Sequence, residues 1–274
     1  MLVFIKTENN LTLIKEEKPM RYFDTHCHIG LIHEDPIEQL LITQEAKQDG
    51  VDGILSITNN IQDFFEVYSH LKTASNVYYS IGVSPSEVNH PGRDWESKIE
   101  EGASYDKVVA VGEIGLDYYK KFGDKNSQIE LFIRQLEIAE QLNKPVVIHN
   151  REAGSDILDI LRDKLPARGG ILHCFSEDWE FAKKALDLNL YISFAGNVTY
   201  RNARNLHTTA KNMPVERMVI ESEAPFMIPA EYRGKRNKPS YIHSTCAYLA
   251  DLRGEDPEEL SSILYENSLR VFNL

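Results

Sequence analysis

The chain has 274 residues, 42% of them hydrophobic and 26% charged, with a formal net charge of −12. That balance suits a soluble globular protein of one large domain or two ordinary ones, and three widely spaced cysteines argue for a reducing compartment rather than a disulfide framework. The acidic charge excludes a protein that coats nucleic acid non-specifically, and no apolar run approaches the ~20 residues of a membrane span.

Residues 1–20 read as an extension. Leu2-Val3-Phe4-Ile5-Lys6 and Leu11-Thr12-Leu13-Ile14-Lys15 are short β-like runs around Glu8-Asn9-Asn10, either a hairpin or a mobile arm. Lys6 cuts the first run short and no small-residue cleavage site follows, so the segment is not a signal peptide and a cytoplasmic protein is expected.

From residue 21 onward, apolar runs of strand length alternate with helix-like segments. The predicted strands are 22–24, 53–57, 77–83, 108–112, 145–148, 170–173, 190–193 and 217–220. Val146-Val147-Ile148 and Met218-Val219-Ile220 are continuously apolar, as parallel strands covered on both faces are. The predicted helices are 43–48, 61–72, 128–142, 156–165, 179–188 and 243–252, with Asp178 as an N-cap. The segment 128–142 repeats apolar residues at Ile129, Phe132, Ile133, Leu136 and Ala139, the 3.6-residue stripe. Trp95 and Trp179 read as helix-face packing residues. Eight β-then-α units make residues 21–274 one (β/α)8 TIM barrel; two separate α/β domains are the alternative, unsupported by any linker.

In such a barrel, functional groups gather at the C-terminal ends of the strands. Asp24-Thr25-His26-Cys27-His28 ends the first strand, and residues two apart on a strand face the same way, so two imidazoles aim at one point. Asp24 is the natural partner to hold that pair. Glu113 follows the fourth strand between Gly112 and Gly115, His149 follows the fifth, His173 the sixth, and Glu223 lies just past the eighth. The same alternation turns Cys27 and Cys174 into the core. The remaining histidines, His33, His70, His90, His207 and His243, read as structural or exposed. Four imidazoles and two carboxylates exceed what one catalytic zinc requires. They suggest two divalent ions (zinc, manganese, magnesium or nickel) about 3.5–4 Å apart, bridged by Glu113 and a water or hydroxide.

Five motifs in order resemble the TatD family of metal-dependent deoxyribonucleases. They are Asp24-Thr-His-Cys-His28, Gly112-Glu-Ile-Gly-Leu-Asp-Tyr118, Pro145-Val-Val-Ile-His-Asn-Arg151, His173-Cys-Phe-Ser176 and Arg233-Gly-Lys-Arg-Asn-Lys-Pro239. The resemblance implies a metal-dependent hydrolase barrel that cleaves DNA phosphodiesters at strand ends, often as a 3′ exonuclease; the sequence itself shows no membrane span and no obligatory protein partner is expected. It implies that His26, His28, Glu113 and the acid after strand eight hold one metal, and that Glu113, His149 and His173 hold the other. The sequence departs from the family pattern twice. Glu221-Ser222-Glu223-Ala224-Pro225 stands where the family has Glu-Thr-Asp-Ala-Pro, and Gly82-Val83-Ser84-Pro85-Ser86 stands for Gly-Val-His-Pro-His. By the resemblance, Glu223 takes the aspartate's role of orienting and deprotonating the attacking water. Ser84 keeps a hydrogen-bond donor for phosphate, but not a charged one.

Arg151 lies two residues past His149, within reach of a phosphate. Arg233, with Lys235 and Arg236, forms a basic cluster after the last strand, and Asp117 either caps its loop or holds a ligand. Two rival readings remain: a hydrolase of small amides, esters or lactones, and a metal-binding homologue weakened by the changes at Glu223, Ser84 and Ser86.

Overall fold

The computed structural model describes the backbones of residues 2–7 and 10–15, and residues 20–274 in full. Strands β1 (Leu2–Thr7) and β2 (Asn10–Lys15) pair antiparallel. The Glu8-Asn9 part of the turn expected between them, and residues 16–19, lie outside the described residues.

The main body alternates β3 (Tyr22–Cys27), α1 (Ile29–Ile32), α2 (Pro36–Gln48), β4 (Val51–Ser56), α3 (Ile61–Leu71), β5 (Val77–Ile81), α4 (Trp95–Ala103), β6 (Val108–Asp117), α5 (Lys125–Gln141), β7 (Val146–Arg151), α6 (Gly154–Lys164), β8 (Gly170–Leu172), α7 (Trp179–Asp187), β9 (Tyr191–Phe194), α8 (Arg204–Asn212), β10 (Met218–Ile220), α9 (Ile242–Arg253) and α10 (Pro257–Phe272). The eight strands β3 to β10 form one parallel sheet in sequence order, curled into a nearly closed barrel. All eight predicted strands are present. No helix among the described residues is long and apolar enough to cross a membrane.

Two cores hold the barrel. Phe23, Leu55, Ala110, Val147, Ile171 and Val219 pack together in its interior, where Tyr265, Val271 and Phe272 of α10 join them and plug the N-terminal end. A larger apolar layer lies between the sheet and the surrounding helices, including Trp95 and Trp179 at its edge. The plug is fastened by Asn267, whose amide donates to Val215 O at 2.7 Å and Met218 O at 2.8 Å.

Three features of the sheet place the site. First, β3 and β10 do not pair as a ladder. Their seam is closed by Thr25 Oγ1 donating to Ile220 O (3.0 Å), Glu223 N to His26 O (3.0 Å) and His28 N to Ala224 O (2.9 Å). Those bonds put the residues after β10 directly beside the two histidines of β3. Second, the register of β6 against β7 shifts between Val111 and Ile114, so Gly112 and Glu113 form a bulge. A bulge re-aims the side chain it carries. Third, the register of β3 against β4 shifts between Asp24 and Cys27, around Thr25 and His26.

The sequence expectation placed Glu113 and His149 just past their strands, but β6 and β7 run on through both residues. The continuation depends on Gly115. At φ +144°, a Cβ there would sit 2.0 Å from His149 O, so only glycine lets the two strands stay paired. The second helix begins earlier than predicted, with Asp35 capping the nitrogen of Ile37 and Pro36 in the first turn. The Asp178 cap is present, accepting from Phe181 N at 2.9 Å. Helices α1, α8 and α10 were not anticipated, and of α4 only Trp95 was read as a helix-face residue.

Candidate metal centre

The six sequence-predicted donors meet at the C-terminal mouth of the barrel. His26 and His28 leave β3 with their Nε2 atoms 3.1 Å apart. His149 Nδ1 and His173 Nε2 are 3.2 Å apart. Glu113 lies between the two pairs and gives one oxygen to each. Its Oε1 is 2.7 Å from His149 Nδ1 and 3.3 Å from His173 Nε2. Its Oε2 is 3.6 Å from His26 Nε2 and 3.7 Å from His28 Nε2. Glu223 Oε2 lies 3.3 Å from His26 Nε2, so its carboxylate points at the first pair. The rings of His26 and His173 stack at 3.9 Å, locking the two pairs against one another.

Glu223 holds φ +54°, a left-handed conformation uncommon outside glycine, and the seam bond from its own nitrogen to His26 fixes it there. Asp24 organises the same corner. Its Oδ1 accepts from Ser222 N at 2.8 Å and His26 N at 3.3 Å.

Burial dominates the electrostatics. It pushes the Asp24 carboxyl up to about 8, against the hydrogen bonds from Ser222 that oppose the rise. Burial and the neighbouring imidazoles hold His26 well below the ordinary histidine value, favouring the neutral form that can ligate a metal. At Glu113 burial alone would raise the carboxyl, but His173 and His149 beside it bring it well below the usual range. At His173 burial would lower the imidazole, but Glu113, with Glu221 and Glu223 nearby, raises it.

Whether these residues fit a divalent metal is answered by their unmet valences. The Nε2 atoms of His26 and His28, and His149 Nδ1 with His173 Nε2, face one another, and Glu221 Oε2 and Glu223 Oε2 are fully shielded from solvent and have no hydrogen-bond partner. Three groups of donors lie close enough to share an ion: His26, His28 and Glu223; Glu113, His149 and His173; and His26, His173 and Glu221. Opposed imidazole nitrogens and a buried carboxylate need a cation between them, and mixed nitrogen and oxygen donors suit zinc, manganese or nickel. The site fits.

One contributor went unrecognised in the sequence, and the role of a second was left open. Glu221 is fully buried, accepts from Cys174 N at 2.8 Å and approaches His173 Nδ1 at 3.5 Å. Its only signal was its place two residues before Glu223. Asp117, expected either to cap a loop or to hold a ligand, does both. Its Oδ1 accepts from Lys120 N at 2.7 Å and its Oδ2 lies 3.1 Å from His149 Nε2, turning the other ring nitrogen toward Glu113.

Five of the six donors, all but His26, floor a cavity of about 520 Å³ whose walls include Ser84, Lys120, Phe122, Arg151, Phe226 and Met227. Ser84 Oγ lies 3.1 Å from Ser86 Oγ, and the Arg151 guanidinium covers the Tyr119 ring at 4.1 Å. Arg233 does not line this cavity; it is exposed, with its guanidinium 5.7 Å over the Tyr200 ring. Cys27 is buried in the core as expected, but Cys174 lies at the cavity. The reason is that β8 ends at Leu172 and Cys174 has φ +42°, so strand alternation no longer governs it. The other five histidines are in none of the donor groups.

A nearly closed parallel barrel with histidines and carboxylates converging at its C-terminal mouth defines the metal-dependent hydrolase class. The family model described as TatD related DNase matches residues 23–273, and the chain belongs to the TatD family. It is 38% identical to the uncharacterized metal-dependent hydrolase YcfH of Escherichia coli K12 over 257 residues, covering 92% of this chain and 95% of that one. It is 30% identical to the 3′-5′ ssDNA/RNA exonuclease TatD of Rahnella sp., over 86% of this chain and 93% of that one. The crystal structure of YjjV, a TatD homologue from Escherichia coli K12, superposes with a TM-score of 0.87 at 27% identity, over 94% of this chain and all of the other.

Proposed function

We propose that this hydrolase cleaves phosphodiester bonds at the ends of single-stranded DNA. The observation that carries the reading is the pairing of a floor of five donors, with His26 buried behind them, and a wall that presents Lys120 and Arg151. A small neutral ester or lactone would have no use for those cations, whereas a phosphodiester carries the charge they match. The Rahnella relative is named for acting on single-stranded DNA and RNA.

In this reading His26, His28 and Glu223 hold one divalent cation, and His149 and His173 the other, with one Glu113 oxygen turned to each pair. When bound, such a pair lowers the pKa of water and neutralises charge on the phosphate. Glu223 orients the attacking water and accepts its proton through Oε2. Lys120 and Arg151 hold the non-bridging phosphate oxygens, Ser84 donates a neutral hydrogen bond, and Arg233 meets the strand further out. The water oxygen ends on phosphorus, the bond from phosphorus to the preceding 3′ oxygen breaks, and that oxygen leaves with a proton.

The test is a substrate panel with the metal-loaded protein: single-stranded oligonucleotides, an aryl phosphodiester, and amides, esters and lactones. Release of mononucleotides, lost by about 10²-fold or more in Glu113→Gln and altered in Glu223→Asp, supports the reading. Lactone or ester turnover without phosphodiester cleavage contradicts it. Full metal loading with no hydrolysis until Glu223→Asp and Ser84→His are introduced identifies a weakened homologue.

A further inference from the structure

Among the described residues, three large aromatic side chains are exposed: Tyr119, Phe122 and Phe226. All three stand at the mouth of the metal-centre cavity. Phe122 and Phe226 line it, and Tyr119 lies under the guanidinium of Arg151, which also lines it. Tyr119 and Phe122 follow β6 and Phe226 follows β10, the fourth and eighth of eight strands, so the rings come from opposite sides of the barrel. Met227 adds an exposed apolar side chain beside Phe226. Apolar surface gathered at the rim of a polar cavity marks a contact surface.

Phe226 is 51% exposed, yet its backbone is clamped to the metal centre. Its nitrogen donates to Glu223 O at 2.7 Å. The buried Asn237 amide donates to Ser222 O at 2.7 Å and to Phe226 O. From the loop after β9, Tyr200 Oη donates to Ile228 O at 2.9 Å and Thr199 Oγ1 accepts from Ala230 N at 2.8 Å. Gly196 lets these loops meet, since a Cβ there would lie 2.1 Å from Met227 O. The one ring contact of Phe226 among the described residues is a T-shaped approach to His28 at 6.1 Å, which leaves it without a stacked partner.

We propose that Phe226, with Met227 beside it, is the platform on which a base of the substrate strand stacks, so that the site binds the nucleobase as well as the phosphate. The inference rests on the phosphodiesterase reading and deepens it. Lys120 and Arg151 draw the sugar-phosphate backbone to the side of the mouth formed by β6 and β7. The scissile phosphate lies over the metal donors, and the base of the nucleotide that carries it turns to the β10 side, onto the Phe226 ring. Every base has a π face, so one phenyl ring accepts any of the four. A ring on a clamped backbone gives up little freedom when the stack forms, so most of the stacking energy is kept as affinity.

The test uses two readouts on the metal-loaded protein. In the first, a single-stranded oligonucleotide is compared with the same strand carrying a stable abasic analogue in place of the nucleotide at the scissile phosphate. The kcat/KM is expected to be about tenfold or more higher for the intact strand, the size of one base–aromatic stack. In Phe226→Ala that ratio falls toward one, and in Phe226→Trp it is kept. A substitution that only disturbed the fold would slow both strands alike and leave the ratio where it was. In the second, deoxyadenosine 5′-monophosphate and 2-deoxyribose 5-phosphate are titrated onto the protein. The nucleotide is expected to bind about tenfold more tightly, an advantage lost in Phe226→Ala and kept in Phe226→Trp. A ratio unmoved by Phe226→Ala in either readout overturns the proposal. So does equal binding, or no binding, of the two small ligands. Base-selective binding that requires Phe226, with no oligonucleotide hydrolysis, retains the platform and removes the phosphodiesterase reading instead.

Discussion

At the scale of single residues, the site is built from donors that the sequence displayed and orienters whose roles it left partly open. His26 and His28 were legible from strand alternation, and their Nε2 atoms do converge, at 3.1 Å, although β3 ends at Cys27 and His28 lies just past it. Glu113, His149, His173 and Glu223 were legible as polar residues ending apolar runs. Asp117 and Glu221 could not be assigned in the same way, because their roles arise between strands distant in sequence. Asp117 gives a sharp prediction. Its carboxylate holds His149 Nε2 and so presents Nδ1 to Glu113. Asp117→Asn weakens that hold, and metal affinity is expected to fall by about 10–100-fold. A competition titration against a chelator measures it, with the melting temperature of the metal-free protein little changed. Affinity equal to that of the parent would show that Asp117 does not set the ring.

Among the elements, β6 and α10 carry the most weight. β6 is bulged at Gly112 and Glu113, then pairs tightly through Gly115. The two glycines hinted at an unusual backbone, but not that the strand would continue to Asp117. Gly115→Ala forces a Cβ onto His149 O in a left-handed backbone, and should cost about 2–4 kcal/mol, seen as a lowered urea midpoint. A midpoint within error of the parent would refute the close approach. Helix α10 was overlooked although its start was written in the sequence. Asp256 accepts from Glu258 N and Glu259 N at 3.0 Å, and Pro257 occupies the first turn. Asp256→Ala should destabilise by about 1 kcal/mol. Helices α4 and α8 were harder to read. Each buries only three residues, among them Gly102 and Thr209, so neither carries a full apolar stripe.

For the whole molecule, the barrel was legible because eight runs of strand length alternate with helix-like segments, several of them continuously apolar as buried parallel strands are. What the runs could not show is how the barrel closes. The seam between β3 and β10 uses the backbone around His26 and Glu223 in place of a strand ladder, so the fold is fastened at the site itself. Metal binding should therefore stabilise the entire barrel. At about a hundredfold excess over Kd, zinc or manganese should add ~2.7 kcal/mol, and so raise the melting temperature of chelator-treated protein by roughly 5 °C or more. An unchanged melting temperature would mean that the converging nitrogens of His26, His28, His149 and His173 do not engage the ion.

The most direct test of the account is the number of divalent ions bound. Glu113 divides the donors into two sets by turning one oxygen to each histidine pair. Elemental analysis of protein reconstituted with manganese or zinc should find two ions per chain, and fewer than two in Glu113→Gln. A single ion in the parent, retained without loss in Glu113→Gln, would contradict it.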